Sequence, residues 1–209
     1  MDTSRASWRN TTHDWTGAVD LDHLSGIRRD LAAFAPGGTW HLVLEVVAYA
    51  ADEAECGGGG HCVVALHADG SVSVTDDGRG TDTRFDEHGQ VVRKPVMATK
   101  DLRFFDDPGA QTLPDGHPRR GMSVVAALSE RLAHTNRRGN GSWTQLYEHG
   151  SPVSDLERLA DNGTTGTTVR FRPAAPLLPA DPSPGDLALL ATAWPHLTVE
   201  VTRGRPSPA

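Results

Sequence analysis

The sequence predicts an α+β domain, and three observations carry that prediction. Several segments alternate apolar and polar residues with a period of two, as half-buried strands do. Others repeat apolar residues at helical spacing. The two kinds do not follow one another in strict strand–helix–strand order, so a layered α+β architecture is expected. With 209 residues, 37% of them hydrophobic, the chain is long enough for one domain with a real core.

Residues 1–19 are polar and read as a poorly ordered arm. From Asp20, a plausible N-cap, Leu21, Leu24, Ile27 and Leu31 recur at helical spacing as far as Phe34. Pro36-Gly37-Gly38 ends that helix, and Thr39 reads as the cap of the next, Trp40 to Glu55. This second helix is apolar almost all round, so most of it must be covered. Glu45 stands amid Leu44, Val46 and Val47. It either lies along a narrow polar stripe or is paired or used, because burying a lone carboxylate is costly.

His61–His67 and Ser71–Thr75 read as a hairpin turning at Ala68-Asp69-Gly70. Residues 82–92 are loop-like, and Pro95–Phe105 is a candidate helix. Asp106–Gly121, rich in Asp, Pro and Gly, reads as a long flexible segment. Ser123–Leu132 reads as a short apolar helix. Arg131–Arg137 and Ser142–His149 read as a second hairpin around Gly139-Asn140-Gly141. Thr167–Arg172 is a strand, Pro173–Pro184 a connector, Leu187–Trp194 a helix stopped by Pro195, and Leu197–Thr202 a last strand. The tail from 204 to 209 is expected to fray.

Composition narrows the function classes. Net charge is −7 and no basic stripe is visible, so nothing favours direct nucleic-acid binding. The absence of a long apolar run or a leading signal pattern makes a cytoplasmic, non-membrane protein the expectation. Cys56 and Cys62 are not at a usual zinc spacing and read as free thiols.

The stretch Val72-Ser-Val-Thr-Asp-Asp-Gly-Arg-Gly-Thr81 carries the chemistry. A half-buried strand runs into Asp76 and Asp77, then into a turn with Gly78 and Gly80. Such a turn lets a ligand come close to the backbone. A carboxylate there can accept a hydrogen bond from a flat heterocycle, although Asp-Asp-Gly also occurs in ordinary turns.

Together with His41–Ala54, Gly121–Leu128 and Thr165–Phe171, in this order and spacing, that stretch resembles the nucleotide-binding domain of the DNA gyrase B subunit. The larger group is that of the GHKL ATPases, and the resemblance covers residues 20 to 203. It implies the two-layer Bergerat fold, a mixed, mostly antiparallel sheet with helices on one face, and ATP held between the layers. It implies that Glu45 is the general base for water attack on the γ-phosphate. Asp76 would bind the adenine amino group, with Gly80 and Thr167 sharing a bridging water. Val46, Val74, Met97 and Val169 would line the pocket, with Glu53 and Arg79 packing near the adenine.

Departures from the family pattern are concentrated elsewhere. Tyr49 stands where the family has the Mg²⁺-ligating Asn, which makes Mg²⁺ doubtful, since a phenol is a poor substitute for an amide oxygen. Ala48 stands where the family has Asp, and Thr81 and Asp82 where it has Ile and Pro. The phosphate-cradling turn of the lid, about 106–121, has become Gly116-His-Pro-Arg-Arg-Gly121. Leu102-Arg103-Phe104 replaces Gly-Gly-Lys before it. Arg119 and Arg120 either meet the phosphates by side-chain charge or sit in solvent.

The chain stops where the family's transducer domain would begin. The first expectation is therefore a stand-alone ATP-binding domain with weak or absent hydrolysis, not a complete topoisomerase. An alternative is a non-catalytic scaffold or interaction module, for example a gyrase-associated regulator with a protein partner. A third is an ATPase or kinase with unusual Mg²⁺ use. A monomer is expected over a dimer.

Overall fold

The computed structural model describes residues 19–81, 87–89, 91, 95–177 and 182–203. The expected arm up to residue 18, Asp82 with most of the stretch to residue 94, and the tail 204–209 lie outside the described residues.

Among the described residues, six helices and eight strands follow one another: α1 (Leu21–Arg29), α2 (Leu31–Phe34), α3 (Gly38–Gly57), β1 (Gly60–Leu66), β2 (Val72–Asp76), α4 (Leu102–Phe105), α5 (Met122–Ala127), β3 (Ser129–Arg138), β4 (Gly141–Glu148), β5 (Ser151–Pro152), β6 (Glu157–Arg158), β7 (Gly166–Pro173), α6 (Pro184–Thr192) and β8 (Leu197–Arg203). The strands form one sheet in the order β5-β4-β3-β7-β2-β1-β8, with β6 pairing on β4. Of these strands only β1 and β8 run parallel; the other pairs are antiparallel.

Alternation decides which face of the sheet is buried. Val72 and Val74 on β2 and Val169 and Phe171 on β7 point into the core, and the registers set Val74 beside Val169 and Val72 beside Phe171. On the opposite face Thr75 meets Thr168, and Thr135 meets Thr144, hydroxyl to hydroxyl. The helices cover the apolar face: α3 packs on β1, β2 and β8, while α5 packs on α1, α3, β3 and β4. Every residue of α5 is buried.

Asp20 caps α1 as expected, its side chain accepting from the His23 N–H. The single helix read from 20 to 34 is two, because Asp30 breaks the run and accepts from the Ala33 N–H to start α2. Asp101 does the same inside Pro95–Phe105, leaving a 3-10 turn at Pro95–Met97 and the short α4. Thr39 is not the cap of α3: the helix starts from Gly37, and the Thr39 hydroxyl donates to the Leu177 carbonyl. The helix read through Leu132 ends at Ala127, and Ser129 onward is strand, paired with β7 and β4. The last helix begins at Pro184 instead of Leu187, where Ser183 and Asp186 form a capping box.

Asp106–Gly121 is not a loose segment. Thr112 and Pro118 form an isolated bridge, the Arg119 N–H donates to the Gln111 carbonyl, and Leu113 is buried.

Phe171, fully buried on the central strand β7, tests the core. Phe171→Ala is expected to lower unfolding free energy by about 3–5 kcal/mol in urea denaturation.

Candidate nucleotide-binding site

Strand β2 ends at Asp76, and two backbone groups hold its carboxylate. Oδ1 accepts from the N–H of Gly78 at 3.0 Å and from that of Thr167 at 3.1 Å. Two glycines make that geometry possible. A Cβ on Gly166, whose φ is +121°, would lie 2.0 Å from the Asp76 carbonyl oxygen, and one on Gly78 would lie 2.9 Å from Oδ1. Backbone therefore approaches Asp76 where no side chain fits. Burial raises the pKa of Asp76, while the two N–H groups oppose the shift. The second member of the acidic pair does something else: Asp77 accepts from the His61 N–H at 2.7 Å, tying the turn to β1.

The segment after the turn is stitched to β3. A Cβ on Gly80 would fall 2.2 Å from the Arg137 carbonyl oxygen. Thr81 donates its N–H to Asn136 Oδ1 at 2.7 Å and accepts from Asn136 Nδ2 at 2.9 Å. The Asn136 amide thus stands in for a strand backbone. Sequence reasoning misses it, because the signal is a single amide in a strand otherwise read only for its hairpin. Arg79 and Glu53 form the pair expected of them, and that contact holds the Glu53 carboxyl below its usual range. Val46, Val74, Met97 and Val169 are all buried in the core beside these elements.

Glu53, Tyr49 and Glu45 lie at successive four-residue steps on α3, so they share one face, with about 6 Å of helix between steps. Glu53 marks the Asp76 end; Glu45 marks the other. Glu45 is fully buried, and its two oxygens accept from the N–H of Arg120 at 2.5 Å and of Gly121 at 2.8 Å. Its Oε1 is 3.6 Å from His41 Nε2, while His41 Nδ1 lies 2.7 Å from Asp115 Oδ2. Burial pushes the Glu45 carboxyl up to about 7, with the two N–H groups pulling the other way.

Tyr49 donates to Asp101 Oδ2 at 3.3 Å, and burial raises the pKa of its phenol. Arg119 is only 1% exposed, so it does not sit in solvent. Its guanidinium stacks between the rings of Tyr49 and Phe104, 4.5 and 4.6 Å from their centroids. It donates to Asp52 at 3.1 Å and to Gln111 at 2.8 Å. Arg120 donates to the Phe104 carbonyl at 2.8 Å.

The structure thus brings Asp76, Thr167, Gly80, Thr81, Glu53 and Arg79 together at one end of α3. Along the middle of α3 it gathers Glu45, Tyr49, Arg119, Arg120 and Gly121. Mg²⁺ does not fit the residues present. The Tyr49 hydroxyl is committed to Asp101, and among the described residues no group of three His, Cys, Asp or Glu could hold a metal ion. Among those residues, too, no helix is long and apolar enough to cross a membrane.

Helices on one face of a mixed, mostly antiparallel sheet, with the acidic strand end between the layers, fit the GHKL fold. No family model matches the chain. It is 39% identical over 168 residues, 73% of its length, to the DNA gyrase B subunit of Haloferax volcanii. It is 36% identical over 188 residues, 81% of its length, to the mitochondrial DNA gyrase B subunit of Arabidopsis thaliana. With the DNA topoisomerase 4 B subunit of Bacillus subtilis it shares 35% identity over 137 residues, 65% of its length. The chain is a gyrase B-like domain. It spans about a quarter of the length of these relatives, from 21% to 25%.

The raised pKa of Glu45 makes stability depend on pH. The folded value near 7 lies above the ordinary 4.5, so the native state holds this proton more tightly than the unfolded one. The resulting stabilisation is complete below pH 4.5 and is lost as pH rises through about 7. Glu45→Gln keeps the neutral form at every pH. Relative to that variant, the unchanged protein is expected to lose stability between about pH 5 and 8, by at most on the order of 3 kcal/mol. Parallel denaturant titrations of the two across that range measure the difference.

Proposed function

We propose that this domain binds an adenine nucleotide, ATP by its likeness to the gyrase B subunit, and turns it over weakly or not at all. One observation carries the reading: Asp76 is fixed through Oδ1 by Gly78 and Thr167 and fenced by glycine backbone. That arrangement leaves Oδ2 as the acceptor for a donor on a flat ring, and the 6-amino group of adenine is such a donor. The core side chains Val46, Val74 and Val169 offer apolar surface for the ring, and Thr167 and Gly80 supply backbone at its edge.

Glu45 is the potential general base. A carboxyl poised near pH 7 suits that role. Both of its oxygens, however, accept from backbone N–H groups, which weakens the carboxylate as a base, and it is fully buried, so a water must first be admitted to it. Weak hydrolysis follows from that enclosure. The same observation favours a second reading, a non-catalytic module that keeps the fold to engage a protein partner, as a gyrase-associated regulator would.

Calorimetry on the folded protein tests the primary reading. Adenosine nucleotides are expected to bind, their inosine counterparts to bind much more weakly, and phosphate release from ATP to stay near the buffer rate. Asp76→Asn retains Oδ1 for the two N–H groups but turns the other atom into a donor. It is expected to weaken adenine binding roughly 10- to 100-fold, the range for a hydrogen bond to a charged group. Equal affinity of the variant and the unchanged protein rejects the assignment.

A further inference from the structure

We propose that this site recognises the purine end of its ligand alone, so that the best ligand class is an adenine nucleoside and added phosphates contribute no affinity. The inference rests on the reading that Asp76 takes the adenine. A nucleotide anchored there and lying along α3 runs from Glu53 past Tyr49 toward Glu45, the three residues sharing one helix face. Its phosphates therefore arrive among Tyr49, Arg119, Arg120, Gly121 and Glu45.

Among the described residues, nothing at that end is left for them. The backbone N–H groups of Arg120 and Gly121, which could hold an anion, already hold the Glu45 carboxylate. Among the described residues, the charged groups around this point face partners. Arg119 lies 2.9 Å from Asp52, and Arg103 lies 2.8 Å from Asp101. Arg120 faces the Phe104 carbonyl and the Glu45 carboxylate faces His41, which is paired with Asp115. A triphosphate would bring its negative charge to Arg119 and Arg103, which Asp52 and Asp101 already face, with no metal site beside them among the described residues. The Nε of Arg119 is buried without a hydrogen bond while its Nη2 faces Asp52, and the Nε of Arg120, also buried without one, belongs to a guanidinium 5.5 Å from the Phe105 ring centroid. The Arg119 guanidinium offers no opening either, because the Tyr49 and Phe104 rings cover it. A phosphate oxygen reaches it only if those rings part.

The test is an affinity ladder on the full chain: adenosine, AMP, ADP and ATP, each with and without Mg²⁺, by calorimetry. The four dissociation constants are expected to agree within about threefold, with or without the metal. ATP binding roughly tenfold or more tighter than adenosine overturns this inference while leaving the Asp76 reading intact. Failure of all four to bind the folded protein overturns both.

Discussion

The clasp between Glu45 and the backbone of Arg120 and Gly121 holds the rest of the structure in place. A carboxylate with no solvent contact is costly to bury, and here two N–H groups and a nearby imidazole offset part of that cost. In return the contact fixes the end of segment 106–121 against α3 and sets the chain's direction into α5. Gly121 adopts a φ of +95° at that point, and a side chain there would press on the Tyr49 hydroxyl. Arg119 lodges between its two rings because the clasp holds the residues on its C-terminal side.

The two ends of α3 therefore differ in kind. Near Glu53, the strand end at Asp76 has one oxygen engaged by backbone and is surrounded by glycines. Near Glu45, charged groups pair through Asp52, Asp101 and Asp115. Tyr49 and Arg119 are the side chains that fill the second.

Much of the sheet was legible because period-two alternation leaves a direct trace, as in Val72 and Val74 against Ser73 and Thr75. Asp20 was legible as a cap because its hydrogen bond is local. Asp30 and Asp101 were not, since the apolar stripe continues past each of them and periodicity alone cannot show a restart. Val125, Leu128 and Leu132 imitate helical spacing across the junction of α5 and β3; the pairing of β3 with β4 and β7 makes the second half a strand. Strands β5 and β6 have two residues each and leave no pattern. Asp76, Glu45 and Tyr49 were placed through the resemblance. Asn136, and the sandwiching of Arg119 between Tyr49 and Phe104, depend on contacts between residues distant in sequence, which local patterns do not encode.

The parallel pairing of β1 with β8 bears on how the domain assembles. Strand β1 joins β2 through a tight hairpin, but its other edge waits for a segment that follows nearly every other element. Until β8 docks, that edge presents unpaired amides and carbonyls alongside Val63 and Val64, a template for a neighbouring molecule. Contacts so remote in sequence form slowly. At high concentration, productive maturation of the domain thus competes with intermolecular strand addition along β1, and chaperone shielding would act on that face.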